Sequence, residues 1–189
     1  MGKRKYEECV KQPTRRGPAK LNVEKLSRFI APVPFMVFDK TVQEKTPFWI
    51  EFCLVYGPGP GPGSGVGDLR DNEPLPVKAP DGTTMQPTAE GPNKHPFEEV
   101  FLFLPTDPHN VDDLGAEIEF WIGEGEVAEK YIITKPSMVF IPKNTVHCPV
   151  WYRRIDRPII LVEILNAPEL THGLTIERVG KWPPTYSFK

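Results

Sequence analysis

Apolar positions along this chain come in short bursts instead of long stripes. "FMVFD", "FWIEFCLVY", "EVFLFLP", "AEIEFWIG", "KYIITK", "SMVFIP", "VHCPVWYRR" and "RPIILVEIL" are rich in β-branched and aromatic residues and are bounded by Gly, Pro, Asp or Asn. Such runs are strands broken by turns. About eight of them predict an all-β sandwich, jelly roll or closed barrel. In "EVFLFL" Glu99, Phe101 and Phe103 alternate with Val100, Leu102 and Leu104, so both faces of that strand need cover. "AEIEFWIG" has a polar side instead, with Glu117, Glu119 and Trp121 opposite Ala116, Ile118, Phe120 and Ile122. One short helix is expected at "LNVEKLSRFIAP", where Asn22 caps, Val23, Leu26 and Ile30 share a face and Pro32 stops the helix.

Composition supports that reading. Twenty-three prolines in 189 residues work against a helix-rich fold, and the length suits one well-cored domain. The net charge of -2 implies no general attraction to nucleic acid, but its distribution is uneven: residues 1–28 carry nine Lys/Arg against three Glu. We read 1–28 as a basic N-terminal arm with the start of the short helix, a mobile or surface-clasping arm in preference to one for nucleic acid or anionic lipid. Residues 29–189 then form a single β-barrel domain. Within it "GPGPGPGSGVG" opens a Pro/Gly-rich segment over 57–92, an inserted loop that is either a lid over the site or a disordered stretch. Neither an apolar run long enough to span a membrane nor a signal-peptide hydrophobic region is present. Cys9, Cys53 and Cys148 are sparse and lack a CxxC spacing. The expectation is a cytoplasmic protein with reduced thiols.

Candidate chemistry gathers at "NKHPFEEVF". His95 and Glu99 would stand about 13 Å apart on a straight strand, too far to share an ion. Pro96 predicts a turn through His95-Pro96-Phe97-Glu98 that lets them converge, with Glu99 facing inward beside Phe101 and Phe103 and Glu98 solvated. A second histidine at a comparable place is His147 in "IPKNTVHCP", after a Pro142-Lys143-Asn144 turn in which Asn144 can take the left-handed conformation. Two imidazoles and a carboxylate leave open positions on a metal. Any one of these histidines could be an ordinary polar residue at a strand end. His109 and His172 are read as solvated, Cys148 as a buried thiol facing away from His147, and Glu163 as a buried group that could orient a ligand histidine. Glu119 is either a cavity residue or a cross-strand partner of Lys130 or Lys135.

With these residues in place, the sequence resembles the cupin superfamily. Its first motif ends in H-x-H followed three or four residues later by Glu, and its second reads approximately G-x5-P-x-G-x2-H-x3-N. "NKHPFEE" matches through His95 and Glu99, and "PKNTVH" through His147. Asn93 stands at the first motif histidine, Pro136 and Asn144 at the second-motif glycines, and Trp151 at the terminal Asn. The resemblance covers roughly residues 90–165. It implies a double-stranded β-helix, a jelly-roll barrel. It also implies one divalent metal ion, Fe(II) first and Mn, Ni, Zn or Co as alternatives, held by His95, Glu99 and His147. Asn93 either ligates through its carbonyl oxygen or leaves a three-ligand site.

The expected function is a metal-dependent enzyme acting on a small oxygenated or anionic organic substrate, with oxygenase chemistry favoured over lyase or isomerase chemistry. Glu99 and Glu119 are the candidate catalytic carboxylates. Phe97, Phe101, Phe103, Trp121 and Trp151 are candidate substrate contacts, and Arg153, with Arg154 or Arg157 as alternatives, would steer a carboxylate. The competing expectation is a non-catalytic binding module of the same fold. Partners are a small-molecule substrate and a second copy in a homodimer, with no nucleic acid and no membrane.

Overall fold

The computed structural model describes residues 9, 11–15, 36–55, 57–60, 77–78, 84–85, 92–167 and 177–178. The helix expected over 21–32, most of the basic arm, much of the 57–92 segment and His172 lie outside the described residues.

The strands in chain order are β1 (Thr14–Arg15), β2 (Met36–Phe38), β3 (Trp49–Val55), β4 (Gly59–Pro60), β5 (Val77–Lys78), β6 (Thr84–Met85) and β7 (Asn93–Lys94), then β8 (Glu99–Leu104), β9 (Ala116–Ile122), β10 (Glu129–Ile133), β11 (Ser137–Ile141), β12 (His147–Ile155), β13 (Ile159–Leu165) and β14 (Glu177–Arg178). All eight apolar bursts of the sequence form strands: β2, β3 and β8–β13. Among the described residues a 3-10 turn forms at Gly125–Val127, and the paired strands of the two main sheets run antiparallel. No helix among the described residues is long and apolar enough to cross a membrane.

Two sheets carry the fold. One has the order β1-β2-β3-β13-β8-β11; the other has β10-β9-β12-β7-β14, with β4 added to β12. From β8 onward the chain passes from the first sheet to the second at β9, back at β11, across again at β12 and back at β13. This is an all-β, two-sheet jelly-roll barrel.

Alternation decides what lies between the sheets. On β3, β8 and β13 every second residue is buried: Trp49, Glu51, Cys53 and Val55; Glu99, Phe101 and Phe103; Ile159, Leu161, Glu163 and Leu165. The second sheet answers with Ala116, Ile118, Phe120, Val150 and Tyr152. Phe101 stands edge-on to Phe120 with ring centroids 5.1 Å apart, a geometry that aligns ring edge against ring face. At the end of the barrel where β8 begins, the inward positions turn from aromatic to ionisable.

Candidate metal centre

His95, Glu99 and His147 meet at that end. The turn through Pro96 folds His95 back onto the first residue of β8, so that His95 Nε2 lies 3.0 Å from Glu99 Oε2. His147 opens β12 and brings its own Nε2 to 2.9 Å from the same oxygen. All three side chains are buried, and their ligand atoms lie within 4.8 Å of one another. The two turns are tied together: Asn144, with φ of 60°, takes the left-handed conformation foreseen for it, and its N–H donates to the His95 carbonyl at 2.7 Å. Asn93 pairs with His147 across β7 and β12 and is buried beside the set.

The outer nitrogens of both rings are occupied. His95 Nδ1 lies 2.8 Å from the Phe97 carbonyl and His147 Nδ1 lies 2.9 Å from the Thr145 carbonyl. A carbonyl only accepts, so each Nδ1 carries the proton and, in the neutral ring, each Nε2 presents a lone pair. Two nitrogen lone pairs then point at a carboxylate oxygen from about hydrogen-bond distance, an arrangement that requires a cation between them, either a metal ion or added protons. Burial alone would raise the Glu99 pKa, but His147 and His95, when protonated and donating from Nε2, outweigh it and hold the carboxyl below its ordinary value. Glu99 Oε1 is buried without a hydrogen-bond partner. This donor set fits a divalent ion and can hold one, with positions left for other oxygen ligands. The carbonyls of Phe97 and Thr145 also fill the orienting role that the sequence reading gave to Glu163.

Of the other sequence candidates, the structure brings the phenylalanines to the set. Phe97 stacks on His95 with centroids 4.3 Å apart, Phe101 lies 6.1 Å from the His147 ring, and Phe103 follows one step deeper, 6.4 Å from Phe101. Glu119, Trp121, Trp151 and Arg153 are not brought there. Glu119 and Trp121 alternate with the inward Ile118 and Phe120, and Trp151 pairs with Glu119, so these residues occupy the other face of the second sheet.

There Arg153 clasps Glu119 with Nε and a terminal nitrogen, both at 2.9 Å, and Trp121 Nε1 donates to Glu119 at 2.7 Å. Arg153 also lies over the Trp151 ring. The partner of Glu119 is therefore an arginine, not Lys130 or Lys135; Lys130 sits over the Trp121 ring. Arg154 pairs with Asp156 and Arg157 with Asp113. Cys148 does not face away from the site. It packs into the core with Tyr152 and Val150, because β12 slips register between His147 and Val150.

Sequence reasoning missed Glu51 and Tyr152. Glu51 was legible, since it alternates with Trp49, Cys53 and Val55. Tyr152 was not, because two register shifts in β12 break the alternation that would assign its side.

The chain is thus a jelly-roll barrel with two histidines and a glutamate gathered at one end as a candidate metal centre. No family model and no curated protein matches the chain. Solved structures similar to it include a cupin-like protein from Thermotoga maritima, 12% identical over 83% of this chain and 89% of that one, with a TM-score of 0.39. Others are an oxalate oxidase, 12% identical over 76% of this chain, TM-score 0.39, and an oxalate decarboxylase, 10% identical over 88%, TM-score 0.43. The chain spans 53% of the oxalate oxidase chain and 35% of the oxalate decarboxylase chain.

Proposed function

We propose that this protein is a metal-dependent enzyme acting on a small oxygenated organic substrate, with the ion held by His95, Glu99 and His147. One observation carries the reading: both Nδ1 atoms are committed to carbonyls, which turns both Nε2 lone pairs onto one buried carboxylate oxygen. When bound, a divalent ion supplies Lewis acidity, and Fe(II) supplies electrons for dioxygen chemistry as well. A two-histidine, one-carboxylate set favours the oxygenase branch over lyase or isomerase chemistry.

The chain's own residues define the rest. Phe97 and Phe101 wall the set and exclude water, which strengthens electrostatic interactions inside. Oxygenated substrates are favoured over anionic ones, since Arg153, Arg154 and Arg157 each engage an acid away from the set. Asn93, beside His147, is the position from which a fourth oxygen donor would come. The test is elemental analysis of untagged protein after reconstitution with Fe, Mn, Ni or Zn. We expect about one ion per chain in the wild type and its loss in a folded His147→Ala variant. Metal in neither protein would leave a non-catalytic barrel as the better account.

A further inference from the structure

The barrel interior holds a second polar group that the metal set does not use. Glu163 on β13 stands directly across from Glu51 on β3 and, on its other side, from Phe101 on β8. Both glutamates are inward and buried. Leu165 pairs with Glu99, so Glu163 and Glu99 are diagonal neighbours on one sheet face, about 7–8 Å apart. From the opposite sheet Tyr152 reaches into the same region. Its hydroxyl is fully buried and has no hydrogen-bond partner. Burial, with Cys53, Glu163, Cys148 and Glu51 around it, pushes the phenol well above its ordinary value and keeps it a hydroxyl.

A phenol buried without a partner forfeits the hydrogen bonds that water gave it in the unfolded chain. A bound molecule would restore them. We propose that the Glu51 and Glu163 carboxyls and the Tyr152 hydroxyl form a second binding subsite inside the barrel, which takes the hydrogen-bond-donating end of the substrate, a hydroxyl or ammonium group. Carboxylates accept such bonds and make them charge-assisted. A carboxylate in the same place would bring a third carboxyl group beside two that already face each other. The inference rests on the metal reading above, in that one end of the substrate meets the ion while the other meets this subsite.

Three hydroxamates with a common metal-binding end and different tails test it on the metal-loaded full chain: propanohydroxamate, 3-aminopropanohydroxamate and succinate monohydroxamate. Calorimetric titration should show the ammonium tail binding about tenfold more tightly than the carboxylate tail, the scale of one charge-assisted hydrogen bond. Glu163→Gln and Tyr152→Phe should each shrink that ratio to about threefold or less and leave propanohydroxamate affinity unchanged. Tyr152→Phe keeps the core volume if Glu163→Gln fails to fold. Equal affinities for the three tails, or a preference untouched in the folded variants, overturns the subsite while metal and propanohydroxamate still bind. Absence of metal by elemental analysis, with no hydroxamate bound, overturns the metal reading and the subsite together.

Discussion

His95 and His147 each donate from Nδ1 to a carbonyl two residues away in their own turns, so the ring orientation is set by local backbone and not by a distant acid. The same economy appears at the far end of the barrel. Asp113 accepts from the Gly115 N–H at 3.0 Å and from Arg157 at 2.8 Å. Gly115, at φ of 71°, admits the Arg157 side chain so closely that a Cβ there would overlap it. The Arg157 hydrogen bond holds the Asp113 carboxyl below its ordinary 3.8. A folded-state value below the unfolded one contributes stability that is complete above the unfolded value and is lost as pH falls through the folded one. The melting-temperature gap between wild type and Asp113→Asn should therefore be constant from about pH 7 to pH 5 and close as pH drops below that value. A gap that widens on acidification would refute the assignment.

At the scale of elements, the site depends on one turn and one irregular strand. The Pro142-Lys143-Asn144 turn, closed by Thr145 N–H to the Pro142 carbonyl at 3.1 Å, delivers β12 to the candidate metal centre and docks on His95. The turn needs the left-handed conformation at Asn144, which glycine adopts freely and a β-branched residue resists. Asn144→Gly should leave the melting temperature unchanged or raised. Asn144→Val should cost about 1–2 kcal/mol in chemical denaturation and weaken metal binding, since His147 lies three residues on. The slip in β12 after His147 then lets His147, Val150 and Tyr152 all contribute to the interior, with Trp151 on the other face.

The whole molecule leaves an apolar outer surface on its first sheet. Met138 and Phe140, on the edge strand β11, are 67% and 53% exposed, and they pair with Leu102 and Val100 on the same outward face of β8. An exposed apolar edge strand is a site for association unless something covers it. We propose a second copy of this chain as the occupant. Light scattering should then give twice the 21.4 kDa chain mass, falling to the single-chain mass in Phe140→Glu. A wild type that stays at the single-chain mass across micromolar concentrations would exclude the dimer.

The sequence by itself determined the strands, because a period of two with turn residues between bursts is local information, and all eight bursts were legible in that way. It also marked the residues of the candidate metal set. His95 and Glu99 are separated by a turn that Pro96 announces, and His147 follows a turn that Asn144 marks. Tertiary structure decided which face of each strand became interior. "AEIEFWIG" offered two faces, and only the approach of β8 and β13 put Ile118 and Phe120 inside and left Glu119 and Trp121 to Arg153 on the other side. It decided Tyr152 and Cys148 as well, since a register slip is set by how β12 meets β9 and leaves no mark in the alternation of either strand. The pairing of Glu51 with Glu163, more than a hundred residues apart in sequence, is a property of the folded sheet, because cross-strand neighbours are chosen by strand order and register, which no local pattern encodes.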